Sequence, residues 1–277
     1  FLRQESSFDV NFSLIEYDGS HSYARVYLVG LINTLLVAVT GIIFCTVIGV
    51  IVGVARLSPN YLIRKTAAGY IEFFRNIPLI VQIFFWYFAA LRTMPLPEKT
   101  DPIFGVIFLS LKGLYMPGLI WQNLNVFIYS LIVAIIAIVL IKNYSNKIRD
   151  NEGKQLPVLY ISIALILILP ALTFAIGGVS AEVEIPVLKQ LAKTSFTFEG
   201  GARVPPEFMA LVLALSLYTA TFVAECVRAG IEGISKGQKE AAASIGLNRK
   251  QVLNLIIMPQ ALRIIIPPTT NQYLNLT

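Results

Sequence analysis

The sequence predicts an all-α fold, a polytopic bundle of transmembrane helices. Of its 277 residues, 56% are hydrophobic and 14% are charged, whereas a soluble domain carries roughly 25% charged residues. Apolar runs of about 20 residues, long enough to cross a bilayer, recur along the chain. Because a spanning segment must satisfy its own backbone hydrogen bonds, such unbroken runs predict helices.

Five membrane spans and one interrupted apolar stretch are predicted. Residues 1–25 are polar and form a predicted external segment. The first span contains Gly41, Gly49 and Gly53, small residues that permit close packing of helices. The spans are expected at about 26–55, 66–91, 123–141, 156–176 and 207–229, and the interrupted stretch at 251–277.

Helix-breaking residues separate these segments. The connector 177–206 contains paired glycines and Pro205-Pro206, and the last stretch is interrupted by Pro259 and by Pro267-Pro268. The chain begins with Phe1 rather than Met, and the pattern at Thr277 is that of a continuing helix. We therefore expect a transmembrane domain over 26–277 that is truncated at both ends.

The distribution of Lys and Arg predicts the orientation in the membrane. Segments 56–65, 142–154 and 228–250 hold 12 basic residues among 46, whereas segments 1–25, 92–118 and 177–206 hold 8 among 82. Since short cytoplasmic loops are enriched in Lys and Arg, the first set is predicted to be cytoplasmic. The net charge of +6 thus belongs to the loops, and a nucleic-acid partner is not expected.

The sequence offers no catalytic or metal-binding arrangement. The single His21 lies in the polar N-terminal segment, and Cys45 and Cys226 lie in apolar segments, where they are expected to pack as small side chains. No phosphate-binding loop of the type G-x-x-x-x-G-K-[ST] is present. The chain is therefore predicted to be no enzyme, with no catalytic residue, metal or cofactor of its own.

Residues 230–250 form a short polar helical pattern between two apolar segments. Small alanines and one glycine allow a partner's backbone to come close, and charged residues surround them. We therefore predict that this coupling segment docks a soluble partner. The predicted coupling residues are Lys236, Gly237, Glu240, Ala241, Ala242, Gly246 and Pro259.

A second polar block lies in the second predicted span. Glu72 and Arg75 are three residues apart on one helix face and can form an ion pair. Pro78 removes a backbone hydrogen bond and can bend the span. These three residues are predicted to form a gate or hinge, with a purely structural ion pair as the alternative.

Several polar side chains in otherwise apolar segments are candidates for a substrate pathway. Glu225 is the best candidate acceptor for an ammonium group, and the amides of Gln82 and Asn271 are candidate donors. The alternatives are that the threonines bond their own helix, that Glu225 pairs with a base, and that the amides join helices. The candidate residues are Gln82, Thr219, Thr221, Glu225, Asn271 and Gln272.

Together these blocks resemble the membrane subunits of polar amino acid ABC importers. In that family the EAA loop reads EAA, three residues, Gly, nine residues and I-x-L-P. Here Glu240-Ala241-Ala242 is followed at that spacing by Gly246 and by Ile256-Ile257-Met258-Pro259, with Met in place of Leu. Typical members have five spans and lack an equivalent of residues 123–176. That extra helix pair is similar to the branch of general L-amino acid permeases.

The resemblance implies a type I ABC importer in a bacterial cytoplasmic (inner) membrane. It further implies a second permease subunit, identical or homologous, two ATPase subunits that bind ATP and Mg, and an external substrate-binding protein. The substrate would be an amino acid.

Two other functions remain open from the sequence. An ion-coupled secondary transporter would need ion sites near the midplane, for which Glu225 and the interrupted last stretch are available. A membrane scaffold without transport activity is the third possibility.

Overall fold

The computed structural model describes residues 1–152, 157–176, 178–192 and 195–276. Most of this part of the chain is helical, with π-helical turns at Phe85–Leu91 and Val252–Ile257 and a 3₁₀ turn at Pro97–Lys99. The helices are α1 (Tyr23–Arg56), α2 (Tyr61–Asn76), α3 (Leu79–Phe84), α4 (Leu124–Glu152), α5 (Val158–Ala175), α6 (Pro206–Glu232), α7 (Lys236–Ser244), α8 (Arg249–Gln251) and α9 (Met258–Leu274).

Short strands occupy the connectors, for which the sequence predicts no regular structure. They are β1 (Phe108–Ser110), β2 (Gly113–Met116), β3 (Gly118–Gln122), β4 (Ser180–Glu184), β5 (Val187–Ala192), β6 (Ser195–Glu199) and β7 (Ala202–Val204). The helical transmembrane fold is confirmed. Among the described residues, five helices are long and apolar enough to span a membrane: 23–56, 125–150, 158–175, 206–232 and 252–274.

The chain divides into two compact units. The first comprises Phe1–Thr100, Leu109–Leu114 and Val204–Thr277, and the second comprises Asp101–Phe108 and Tyr115–Arg203. The second unit contains the predicted extra helix pair and extends beyond it on both sides, because the flanking strands belong to it as well.

In the first unit, α6 is the central helix and packs on α1, α2, α3 and α9. Helices α1 and α6 pack closely because Gly49 and Gly53 of α1, which have no side chains, face α6. A Cβ atom at Gly49 would lie 2.6 Å from the Cβ of Val223, and one at Gly53 would lie 2.7 Å from the carbonyl oxygen of Ala224. On the other side, Gly230 of α6 leaves room for Ile265 of α9. Small residues therefore set the helix separations, as is common in membranes.

The second predicted span, 66–91, is not one straight helix. α2 and the helical segment Leu79–Leu91 meet at an angle of 100°. Ile77 before the proline is extended (φ −99°, ψ 123°), because the Pro78 ring disfavours a helical conformation in the preceding residue. The bend lies where the sequence placed a hinge, but it is much sharper than the bend expected within a single span.

The last apolar stretch also differs from the prediction. Helix α9 continues through Pro267 and Pro268, whereas a break was expected there. Each proline lacks an N–H and removes one bond of the helical ladder, yet the fixed φ of proline is compatible with helix. The packing of α9 on α6 holds the helix in place, with Ala261 and Ile265 buried.

The N-terminal segment is folded onto the first unit. Tyr17 donates a hydrogen bond to the carbonyl oxygen of Phe8 (2.7 Å), and Asn33 of α1 donates to that of Phe12 (2.7 Å). Hydrogen bonds from Ser20 hold the pKa of the exposed Asp18 carboxyl below its usual value. The external location of this segment remains a prediction.

Cysteine labelling tests the predicted orientation. In a variant without Cys45 and Cys226, a cysteine at Lys147 or Ile245 should be protected from a membrane-impermeant thiol reagent in intact cells. A cysteine at Lys189 should react, because segment 177–206 is predicted to be external. All three native side chains are exposed in the folded chain. Labelling of position 245 from outside would overturn the orientation.

Candidate functional site

The predicted coupling segment forms helix α7 and the turn after it. Lys236, Gly237, Glu240 and Ala241 are exposed, whereas Ala242 is buried and holds the helix against the rest of the unit. The helix packs on the π-helical turn Val252–Ile257, which leads directly into α9. The segment therefore presents an exposed face and is connected to a candidate membrane-spanning helix.

Gly246 ends this helix in a left-handed conformation, with φ +82°. The N–H of Leu247 donates to the carbonyl oxygen of Ala242 (3.2 Å), which is the bond of a Schellman motif. Apart from its two chain neighbours, no described residue would have an atom within 4 Å of a Cβ at Gly246. The left-handed conformation therefore explains why glycine is favoured at position 246. The space around this residue is open to a partner.

Three further features lie at this end of the molecule. Ile245 is 76% exposed, an unusual position for a large apolar side chain beside a polar helix. Pro259 lies in the first turn of α9 and is exposed. Beside α7, a groove of about 370 Å³ is lined by Gly233, Ile234, Ser235, Gln238, Gln260, Arg263 and Ile264.

Arg263 in this groove was not among the sequence candidates. It is exposed and makes no salt bridge within the described residues. A charged residue in an apolar segment is costly unless it faces water or protein. Arg263 is the one charged residue in the last apolar stretch, and this isolated charge could have identified it as a candidate functional residue.

A group of charged residues lies at the ends of α1 and α6. Arg228 donates from Nε (2.9 Å) and Nη2 (2.8 Å) to one carboxylate oxygen of Glu225, and Nε of Arg56 lies 3.7 Å from the other. Arg228 also pairs with Glu232 one turn further. Both oxygens of Glu225 therefore face arginines, as the structural alternative expected, and the carboxylate ties α1 to α6.

We expect Glu225→Gln to lower stability, because Arg56 and Arg228 would lose their shared carboxylate. Hydrogen bonds to charged groups contribute about 1.5–3 kcal/mol, and partial exposure of this group argues for the lower end. The measurement is the melting temperature of the purified protein, with Glu232→Gln as the matched control. Unchanged stability together with weakened uptake would instead return Glu225 to the substrate pathway.

Arg75 binds α6 rather than Glu72. Its Nη2 donates to the carbonyl oxygen of Thr221 (3.1 Å), and its guanidinium lies 4.4 Å from the ring centroid of Phe222. Glu72 is exposed and forms no ion pair within the described residues. The predicted Glu72–Arg75 pair is therefore wrong, because packing of α2 on α6 offers Arg75 a carbonyl and an aromatic face.

Thr221 is fully buried, and its hydroxyl donates to the carbonyl oxygen of Tyr218 (2.7 Å). Thr219 is 6% exposed. Neither side chain offers a substrate an accessible surface in this structure. The alternative in which Thr221 bonds its own helix is the one observed.

Gln82 supports the bend at Pro78. Its amide nitrogen donates to the carbonyl oxygens of Phe74 and Ile77, both at 2.9 Å. These two acceptors fix the orientation of the amide, and both of its donors are thereby used. The predicted role of Gln82 as a donor to substrate is therefore not available in this structure. Its Oε1 is buried without a partner among the described residues.

A cavity of about 380 Å³ lies beside this bend. Its wall is almost entirely apolar and aromatic, and the buried Gln82 side chain closes one side. The lining residues are Phe73, Phe74, Ile77, Val81, Gln82, Phe85 and Trp86.

Asn271 is exposed and Gln272 partly exposed on α9, and neither bonds another described residue. The structure does not bring the predicted pathway residues together as one site.

Comparison with known proteins identifies the family. The model of the family described as the binding-protein-dependent transport system inner membrane component matches residues 45–276. This chain belongs to that family. The match includes α6, the coupling segment and α9, and it confirms the resemblance to ABC importer permeases. The protein is a multi-pass membrane permease subunit.

Three relatives align with the whole of this permease chain. The general L-amino acid transport system permease protein AapQ of Rhizobium johnstonii is 44% identical, and the chain spans 68% of its length. The putative amino-acid ABC transporter permease protein YhdX of Escherichia coli K12 is 43% identical, with 69% of its length spanned. The glutamate/glutamine/aspartate/asparagine transport system permease protein BztB of Rhodobacter capsulatus is 33% identical, with 71% spanned.

A solved structure described as an amino acid ABC transporter with histidines also aligns with this permease. It covers 92% of this chain and 69% of that chain, at 19% identity and a TM-score of 0.47. At that TM-score the likeness adds nothing to the family membership shown by the sequences.

Proposed function

We propose that this permease subunit carries amino acids across a bacterial inner membrane into the cytoplasm, as part of an ABC importer. The names of the three relatives that span the whole chain support the substrate class. The single observation that carries the mechanism is the exposed helix α7, which lies in a segment predicted to be cytoplasmic.

The proposed complex contains a second permease subunit, two ATPase subunits that hold ATP and Mg, and an external binding protein. In this proposal the ATPase docks on α7, with Glu240, Ala241 and Ile245 on the contact surface. Arg263 in the adjacent groove is available to an acidic side chain of the ATPase, since the guanidinium of Arg can bind a carboxylate through two parallel hydrogen bonds.

The contacts of α7 suggest how ATPase movement reaches the membrane. Helix α7 packs on the turn Val252–Ile257, which continues into α9. Ile265 of α9 fills the space over Gly230 of α6. Displacement of α7 would therefore move α9 and α6 together. The nucleotide drives this change only through its different affinity for the two states of the transporter.

Uptake into vesicles tests the proposal. The permease should be reconstituted with its ATPase, its partner permease and the binding protein, with ATP enclosed and labelled amino acids outside. Uptake should require ATP and the binding protein, and a hydrolysis-deficient ATPase serves as the matched control. Uptake that persists without ATP and disappears when an ionophore collapses ion gradients would favour an ion-coupled transporter instead.

A further inference from the structure

The two-stranded sheet formed by β3 and β4 in the second unit has one apolar face that other described residues cover only in part. The strands are antiparallel, with Leu119 opposite Val183 and Trp121 opposite Ala181. Because directly opposite residues lie on the same face and alternate along a strand, these four side chains share one face. Leu119 is 58% exposed and Val183 is 65% exposed.

The other face of the sheet is more polar. It carries the pairs Ile120–Glu182, Gln122–Ser180 and Gly118–Glu184. Gln122 donates to the Glu182 carboxylate (3.5 Å), and the Glu184 carboxylate accepts from the backbone N–H of Gly201 (2.8 Å). Apart from Ile120, polar groups therefore cover this side, and the sheet is amphipathic.

Trp121 shows which way the apolar face is turned. Its ring centroid lies 6.0 Å from that of Phe127 on α4 and 5.8 Å from that of Phe174 on α5. Phe127 is in the first turn of α4 and Phe174 in the last turn of α5, so this aromatic cluster marks one end of the helix pair. The face that carries Leu119 and Val183 is therefore the face turned toward that end.

Both helices are apolar on their outer surfaces. Of the most apolar part of each, only 6% of α4 and 11% of α5 is buried inside the protein. Apolar helices with so little buried surface are available to lipid, and Trp at the end of a span is typical of the membrane–water interface. Since Trp121 is two residues from Leu119 along a strand, about 7 Å, Leu119 is within reach of the headgroup layer.

We propose that the β3–β4 sheet rests on the bilayer, with Leu119, Trp121 and Val183 in the interfacial layer and Glu182 toward water. The partner is the lipid surface on the side predicted to be external. Continuity with the lipid-facing surface of α4 and α5 favours lipid over a protein partner. The sheet would then anchor the helix pair at a fixed depth.

Spin labels at neighbouring positions test this arrangement in the full chain. In a background without Cys45 and Cys226, single cysteines are placed at Leu119 and Val183 and, as matched controls on the other face, at Ile120 and Glu182. The labelled protein is reconstituted in vesicles of phosphatidylethanolamine and phosphatidylglycerol. Collision rates with oxygen, which concentrates in lipid, and with a water-soluble nickel chelate are then measured.

Labels at 119 and 183 should collide several-fold more with oxygen, relative to nickel, than labels at 120 and 182. Equal ratios on the two faces would show a sheet in water and overturn the proposal. Labels at 119 and 183 that are immobilised and shielded from both reagents would show a protein partner or a second copy, and would overturn it as well.

A second measurement leaves the sheet unchanged. The sequence contains two tryptophans, so Trp86→Phe leaves Trp121 as the only tryptophan. Its fluorescence should be quenched by lipids brominated near the headgroup end of their chains and less by lipids brominated near the chain terminus. Absence of quenching by either lipid would exclude interfacial lipid around Trp121.

Discussion

Replacing Gly53 by valine should abolish accumulation of the folded permease. A Cβ atom at this position would lie 2.7 Å from the carbonyl oxygen of Ala224 and 2.8 Å from the Cβ of Val227. Both obstacles belong to the central helix α6, and neither is the far end of a flexible side chain. Overpacking commonly costs about 1–3 kcal/mol, and simultaneous contact with the branched Val227 side chain and a backbone carbonyl should exceed that range.

The matched control is Gly30→Val on the same helix, where no described residue outside the helix's own backbone and the two chain neighbours would lie within 4 Å of an added Cβ. Both variants make the same change in helix propensity. A difference between them in stability or accumulation therefore reports the effect of the α1–α6 contact. The measurements are the amount of protein in the membrane and its melting temperature in detergent. Equal behaviour of the two variants would show that α1 and α6 are not held at the observed separation.

Replacing Gly246 by tryptophan should abolish ATPase association and substrate-stimulated ATP hydrolysis, while insertion into the membrane stays intact. The added side chain enters space that this chain leaves open and that we assign to the ATPase. Tryptophan also strains the left-handed turn (φ +82°). Normal substrate-stimulated ATP hydrolysis in this variant would contradict the proposal that the ATPase docks beside Gly246.

Two further variants distinguish the steric effect of the tryptophan side chain from the effect of strain in the left-handed turn. Asn tolerates the left-handed conformation, so Gly246→Asn should keep the turn and most of the stimulated hydrolysis. Gly105→Trp is the matched control for strain, because Gly105 also has a left-handed φ of +79° and open surroundings but lies far from α7 in sequence. Gly105→Trp should leave ATPase association unchanged.

The sequence predicted the long helices and the coupling segment because each has a local signal. Continuous apolar runs predicted α1, α4, α5 and α6, and a change from apolar to small and polar residues predicted α7. Breaks were harder to predict. Pro78 and the Pro267-Pro268 pair give the same local signal, yet the chain turns through 100° at the first and stays helical at the second. The difference arises from which neighbours pack on each segment.

The polar partners could not be predicted from spacing along one helix. Arg75 was expected to pair with Glu72, but the partner that decides its position is Thr221, 146 residues away. The same holds for Gln82, whose amide bonds two carbonyl groups freed by a bend that the sequence did not predict in size. For Glu225 the structural alternative predicted only that it pairs with a base, and Arg228, three residues away on the same helix, is such a base.

The points at which the chain leaves the first unit and returns to it lie side by side. A side-chain atom at Gly113 would touch the carbonyl oxygen of Val204, and almost the entire second unit lies between these residues. A short turn could therefore join residue 114 to residue 204 without stretching either end. The segment 115–203, which contains the helix pair and its sheet, thus begins and ends at neighbouring points of the first unit, and its removal would leave the connections of the α1–α6–α9 core unchanged.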